Sequence, residues 1–145
     1  MGMKRSAGIL LPISSLPSNY GIGTLGKEAY AFVDFLKRAK QSYWQILPLG
    51  PTSYGDSPYQ SFSSFAGNPY YIDFDVLIEK GLLKKAEVAH LQEHNPAYVE
   101  YGYIYETRSE LLKKAYRRGI KKDREDFDAF VQANMDWLAD YAMFM

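Results

Sequence analysis

Tyr43-Trp44-Gln45-Ile46-Leu47-Pro48-Leu49-Gly50 runs directly into Pro51-Thr52-Ser53-Tyr54-Gly55-Asp56-Ser57-Pro58-Tyr59-Gln60-Ser61-Phe62-Ser63-Ser64-Phe65-Ala66-Gly67-Asn68-Pro69-Tyr70. The apolar run Ile46 to Leu49 reads as a buried strand. The segment after it has neither a helical nor a strand period. It holds too much Gly, Pro and Ser to be regular, and too many aromatics to be a solvated linker. Loops beyond about 12–15 residues are uncommon in compact domains unless functional or disordered. Disorder goes with few aromatics, and this stretch carries Tyr54, Tyr59, Phe62, Phe65, Tyr70 and Tyr71. An ordered loop after a buried strand is where a parallel α/β fold carries its site.

Upstream, Ala7-Gly8-Ile9-Leu10-Leu11 is apolar without alternation and is closed by Pro12. Such a run suits a parallel strand covered on both faces. Lys27 to Ala39 reads as a helix with Ala29, Phe32, Val33 and Leu36 on one face and cations near its C-terminal end. With Ile46 to Leu49 this makes a strand–helix–strand unit, long enough for a parallel crossover.

Downstream the pattern turns helical. Asp73 can cap a helix through Lys80 that stops at Gly81. Lys84 to His94 is a second, ended by Asn95-Pro96. Tyr103 to Arg118 is a third, with Gly119 at its end. A single helix is expected from Asp126 to the chain end, with Phe127, Phe130, Val131, Leu138 and Tyr141 on its apolar stripe. Two strands alone do not make a stable parallel core. Met143-Phe144-Met145 is an apolar, uncapped end. Both features suggest the amino-terminal piece of a longer protein.

Composition narrows the function. Lys+Arg and Asp+Glu are 17 each, which argues against a nucleic-acid or anionic-membrane surface. Cysteine is absent, so no thiolate nucleophile, disulfide frame or Cys-based zinc site is available. The short run Ala7 to Leu11 is neither a signal peptide nor a membrane span, and a cytoplasmic protein is expected. Thirteen tyrosines are unusual. A tyrosine joins a flat apolar face to a hydroxyl, the pairing a sugar ring calls for, although most of these tyrosines read as half-buried packing residues.

Gly21-Ile22-Gly23-Thr24-Leu25-Gly26 matches the dinucleotide pattern G-x-G-x-x-G. Nine residues separate Leu11 from Gly21, and no acidic residue closes the second strand. The glycines read instead as those of a tightly shaped loop. His90 and His94 stand at i, i+4, but Leu91 follows His90 where a zinc hydrolase needs Glu; a solvated helix face is expected. Asp56 closes an Asx-turn onto Ser57 or Pro58, or contacts a substrate hydroxyl. One loop carboxylate is not the pair that glycosyl chemistry requires.

Ser15-Leu16-Pro17, Tyr20 to Gly26, Trp44 to Pro51, Tyr54 to Ser63 and Trp137 to Met145 closely resemble the amino-terminal region of bacterial amylomaltases. These are the 4-α-glucanotransferases of glycoside hydrolase family 77. The resemblance implies an α/β fold, the amino-terminal part of a (β/α)₈ barrel with its first two strands plus an inserted helical subdomain. On that analogy residues 1–72 hold the first barrel strands, the first helix and a substrate loop. Residues 73–125 are the helical insertion, and residues 126–145 lead back to the barrel.

The family moves α-1,4-glucan segments between maltodextrins by a retaining double displacement, with no cofactor or metal. Its catalytic carboxylates fall outside this chain, so the resemblance implies one wall of the glucan site and no activity in isolation. Tyr59 resembles the loop tyrosine that stacks on the sugar at the cleavage point, with Asp56 and Ser57 as polar neighbours. Tyr54 and Tyr101 are similar to an aromatic pair of a second glucan site. A non-catalytic carbohydrate-binding or interaction module is the competing reading.

Overall fold

The computed structural model describes residues 5–92 and 97–145. Strand β1 (Gly8–Leu10) pairs in parallel with β2 (Tyr43–Gln45), in register Gly8↔Tyr43, Ile9↔Trp44 and Leu10↔Gln45. Helix α1 (Lys27–Arg38) lies between them in the chain. Leu11 N donates to Gln45 O at 3.0 Å, and that bond closes the ladder. The Leu11 carbonyl is taken by Trp44 Nε1 at 2.8 Å, and after Pro12 the chain turns into a 3₁₀ helix over Ile13–Ser15, so the first strand offers no further partner. The second strand therefore ends at Gln45, and the expected strand at Ile46 to Leu49 is irregular backbone instead. Hydrophobicity marked the right neighbourhood, and the turn that the partner strand takes after Leu11 set the boundary.

The strands are covered on one face. Ile9 and Trp44 are half-buried, whereas Leu10 and Tyr43 are 55% and 65% exposed. The expected burial on both faces is therefore not met, and among the described residues no further strand flanks the pair. Trp44 anchors the covered face. Its ring meets Phe32 of α1 edge-on at 4.9 Å, and its Nε1 donates to Leu11 O at 2.8 Å. Helix α1 buries Ala29 and Leu36 as expected, but Val33, on the same stripe by spacing, is exposed.

Beyond the strands the chain is helical. Helix α2 (Phe74–Glu79) is capped by Asp73, whose Oδ1 accepts from Val76 N at 3.0 Å, and it ends before Gly81 at φ 72°. Helix α3 (Lys85–Val88) tightens into a 3₁₀ turn over Ala89–Gln92. The rest of the expected Lys84–His94 helix, with Glu93, His94, Asn95 and Pro96, lies outside the described residues. Helix α4 (Tyr101–Gly119) begins two residues before the expected start and includes Gly119.

The single terminal helix expected from Asp126 is two helices, α5 (Arg124–Ala133) and α6 (Leu138–Phe144). Asn134 makes the break. Its Nδ2 donates to Phe130 O at 2.8 Å, while its Oδ1 accepts from Trp137 Nε1 at 3.0 Å. Asparagine competes with the helix for backbone partners in this way.

Two apolar clusters hold the chain together. One joins Tyr20 to Phe74, Leu83, Val88, Leu91, Leu111 and Ala115. The other joins Ile13, Leu16, Ile22 and Ala29 to Tyr71 and Ile104. Both draw on residues before and after position 72, so the loop over 13–26 is an internal part of the helical layer. Arg108 of α4 is fully buried between them. Its guanidinium lies 4.0 Å above the Phe74 ring and Nη2 donates to Ile72 O. Burial pushes its pKa down to about 10, so it remains charged at neutral pH.

Candidate functional site

The loop from Gly50 to Gly67 is ordered by short-range bonds. Its base is tied where Asn68 N donates to Leu49 O at 2.8 Å. A tight turn brings Asp56 N to Ser53 O at 3.0 Å, with Gly55 at φ 95° and Asp56 at φ 58°. Glycine tolerates the left-handed region freely and aspartate better than most residues. A second turn follows at once. Gln60 N donates to Ser57 O at 3.1 Å, and Ser57 Oγ accepts from Tyr59 N at 3.4 Å. Ser63 Oγ then takes both Phe65 N and Ala66 N at 3.1 Å. The serines that made the stretch look like a linker are the groups that shape it.

The first turn faces the start of α4 across an open groove of about 780 Å³. Tyr54 and Asp56 line one side, Tyr101 and Tyr105 the other, with Tyr70 and Phe62 also on the lining. Tyr101 and Tyr105 stand one helical turn apart, so their rings share a face. Tyr54 is fully exposed. Burial pushes the Tyr70 and Tyr101 phenols up, and the nearby Asp56 carboxylate adds to both shifts; a hydrogen bond with Ser14 acts the other way on Tyr101. Both phenols therefore stay protonated at neutral pH and can donate. Among the described residues the Asp56 carboxylate accepts no hydrogen bond, so the Asx-turn, one of the two readings open for it, is not formed. Its oxygens remain free to accept from a hydroxyl-rich ligand.

The groove brings together Tyr54, Asp56 and Tyr101 of the residues expected from sequence. Ser57 and Tyr59 sit one turn further along the loop and do not line it. Tyr59 is 73% exposed. Tyr105 was not anticipated, although its i+4 spacing from Tyr101 was readable.

The glycine pattern at 21–26 is a packing device. A Cβ on Gly23 would lie 2.0 Å from Ile13 O and 2.7 Å from Leu16 N, so the close approach there is to the protein's own backbone. His90 is exposed, with its carbonyl accepting from Tyr103 Oη at 3.2 Å; His94 lies outside the described residues. Among the described residues no group of three His, Asp or Glu could hold a metal ion, and no helix is long and apolar enough to cross a membrane.

The sequence profile described as 4-alpha-glucanotransferase, glycoside hydrolase family 77, matches residues 11–145. This chain belongs to the 4-α-glucanotransferase family. It is 54% identical over 144 residues to the 4-alpha-glucanotransferase of Streptococcus pneumoniae, covering 98% of this chain and 28% of the relative. It is 48% identical over 149 residues to that of Thermus thermophilus, covering 100% of this chain and 29% of the relative. The fold matches the solved structure titled amylomaltase from Streptococcus agalactiae in complex with acarbose, with TM-score 0.91 and 46% identity over 98% of this chain and 29% of that one. The chain thus spans 28–29% of the length of these 4-α-glucanotransferases and corresponds to their amino-terminal portion.

Proposed function

We propose that this chain forms one wall of the glucan site of a cytoplasmic 4-α-glucanotransferase. The complete protein transfers α-1,4-glucan segments between maltooligosaccharides by a retaining double displacement. In this reading β1 and β2 are the first two strands of a (β/α)₈ barrel. Residues 73–125 are an inserted helical subdomain and residues 126–145 lead back to the barrel. The family match over 11–145 carries the proposal.

The chemistry is consistent with it. A retaining transferase needs a nucleophile and an acid/base carboxyl about 5–5.5 Å apart. Asp56 is the one carboxylate among the described residues lining the groove. In this reading the catalytic pair is supplied from outside residues 1–145, as the family resemblance implies, and this chain contributes binding and orientation. Tyr59, held by the Ser57–Gln60 turn after Pro58, offers an exposed ring to the apolar face of a sugar. Asp56 and Ser57 offer hydroxyl partners beside it. Tyr54 and Tyr101 offer a second aromatic surface across the groove. Orientation of this kind lowers a barrier by holding the scissile bond against the reacting groups.

Maltotriose disproportionation tests the reading. Glucose and longer maltodextrins are expected from the complete protein and not from residues 1–145 alone. Turnover by the 145-residue chain would mean that a catalytic pair lies within it, with Asp56 the first candidate. The dominance of tyrosine over carboxylate in the groove favours one alternative, a non-catalytic carbohydrate-binding module. Glucan binding without turnover by the complete protein would establish it.

A further inference from the structure

We propose that Trp137 is a positioning residue: through Phe65 it holds the 50–67 loop in the geometry that presents Asp56 and Tyr59. The inference rests on the glucan reading above for its functional consequence, and on packing for its substance.

The loop's own hydrogen bonds fix its turns but not its place. They are local, apart from the tie at Asn68. Its aromatic contacts with the rest of the chain go to the C-terminal helical pair. Phe65 stacks on Trp137 with centroids 5.6 Å apart and planes at 24°. Phe62 meets Phe144 edge-on at 5.5 Å. The two contacts sit three residues apart on the loop and seven apart on the chain entering and leaving α6, so together they fix both position and tilt.

Trp137 is itself oriented. Asn134 breaks the helix, accepts from the indole Nε1 at 3.0 Å and turns Trp137 to φ −136°. Tyr141, one turn into α6, backs the indole at 6.0 Å. With the helix broken at Asn134, Trp137 stands at φ −136°, outside helical geometry, as the residue that precedes α6. The break that the sequence did not announce is therefore what aims the ring at the loop. Met145, at the end of the same element, lines the groove alongside Phe62.

A loop held this way is competent for binding most of the time. Loosening it lowers the competent fraction and raises the apparent dissociation constant by the same factor, while bound substrate reacts as before. The signature is a rise in KM with kcat nearly unchanged.

The test compares Trp137→Ala, Trp137→Phe and Phe127→Ala in the complete protein. Phe127 of α5 packs on Tyr116 away from the loop and serves as the control for general destabilisation. Two readouts are taken: chymotrypsin cleavage within residues 54–65, and kcat and KM on maltotriose. Trp137→Ala is expected to speed loop cleavage and raise KM, each about tenfold, the scale of one aromatic pair. Trp137→Phe restores most of both, and Phe127→Ala moves neither. Cleavage and KM within twofold of the parent in Trp137→Ala would overturn the proposal, as would equal effects in Phe127→Ala. Should Trp137→Ala fail to fold, Phe65→Leu removes the contact from the loop side; faster cleavage supports the clamp and unchanged cleavage overturns it. A parent without transferase activity would sink the glucan reading, while loop cleavage would still decide the clamp.

Discussion

Two groups of aromatic side chains in this chain have opposite fates. Tyr20, Tyr71 and Phe74 are buried, 4%, 8% and 0% exposed, and their polar ends are accounted for. Tyr20 Oη donates to Asp75, its ring meets Phe74 edge-on at 5.5 Å, and Arg108 covers the other side of Phe74. Tyr54 and Tyr59 stand on a loop and are largely exposed, while Phe62 and Phe65 on the same loop pack against Phe144 and Trp137 and belong to neither group. Composition treats the two groups alike. The difference is the backbone beneath them: helix N-termini and a glycine-shaped loop press the first group together, whereas serine-built turns lift the second away. Aromatics of the first kind stabilise the fold, and those of the second kind are available to a ligand.

Breaking the buried group has the largest expected effect. Phe74→Ala removes the ring that Tyr20 and Arg108 both pack against, and costs about 3–5 kcal/mol of unfolding free energy in a denaturant titration. Gly23→Ala comes next. Its methyl would collide with backbone at Ile13 and Leu16, and overpacking of this kind costs about 1–3 kcal/mol by the same measurement. The exposed group is expected to behave in the opposite way. Tyr54→Ala changes stability by no more than about 0.5 kcal/mol, yet weakens retention on a soluble glucan in affinity electrophoresis about twofold to tenfold.

The smallest effect lies outside both groups and is one of pH. The Arg118 guanidinium, with Lys84 N and Lys114 behind it, holds the Glu87 carboxyl well below the ordinary carboxylate range. A depressed folded pKa contributes stability that is present above the unfolded carboxylate value, about 4.3, and lost as pH falls through the folded one. Glu87→Gln therefore lowers stability slightly at neutral pH and flattens its decline on acidification, read as melting temperature against pH.

Much of this was legible from the residues. The long aromatic loop announced itself because Gly, Pro and Ser break periodicity while Tyr and Phe oppose disorder. Asp73 as a cap and Gly81 as a stop were local signals and held. The second strand was displaced because its limit is imposed by the turn after Leu11, on the other strand. The α5–α6 break escaped the apolar stripe because it depends on what the Asn134 side chain bonds to. The lining of the candidate groove was legible in part for the same reason. Tyr54 and Asp56 lie on the stretch that drew attention, and the family resemblance pointed to Tyr101. Tyr105 becomes visible once α4 is seen to start at Tyr101 rather than Tyr103. Val33 and Leu10 look like core residues and are exposed because burial on a strand or helix flank depends on a neighbour, which local sequence does not encode.

The central claim is that the exposed aromatic loop serves a glucan and not the fold. Tyr59→Ala in the complete protein tests it most directly, with maltotriose kinetics and thermal melting measured on the same preparation. The account predicts that kcat/KM falls at least about tenfold, with the melting temperature within about 1 °C of the parent. A loss of activity below twofold would remove Tyr59 from the site. A large fall in melting temperature would assign the ring to the core, and the contrast between the two aromatic groups would fail.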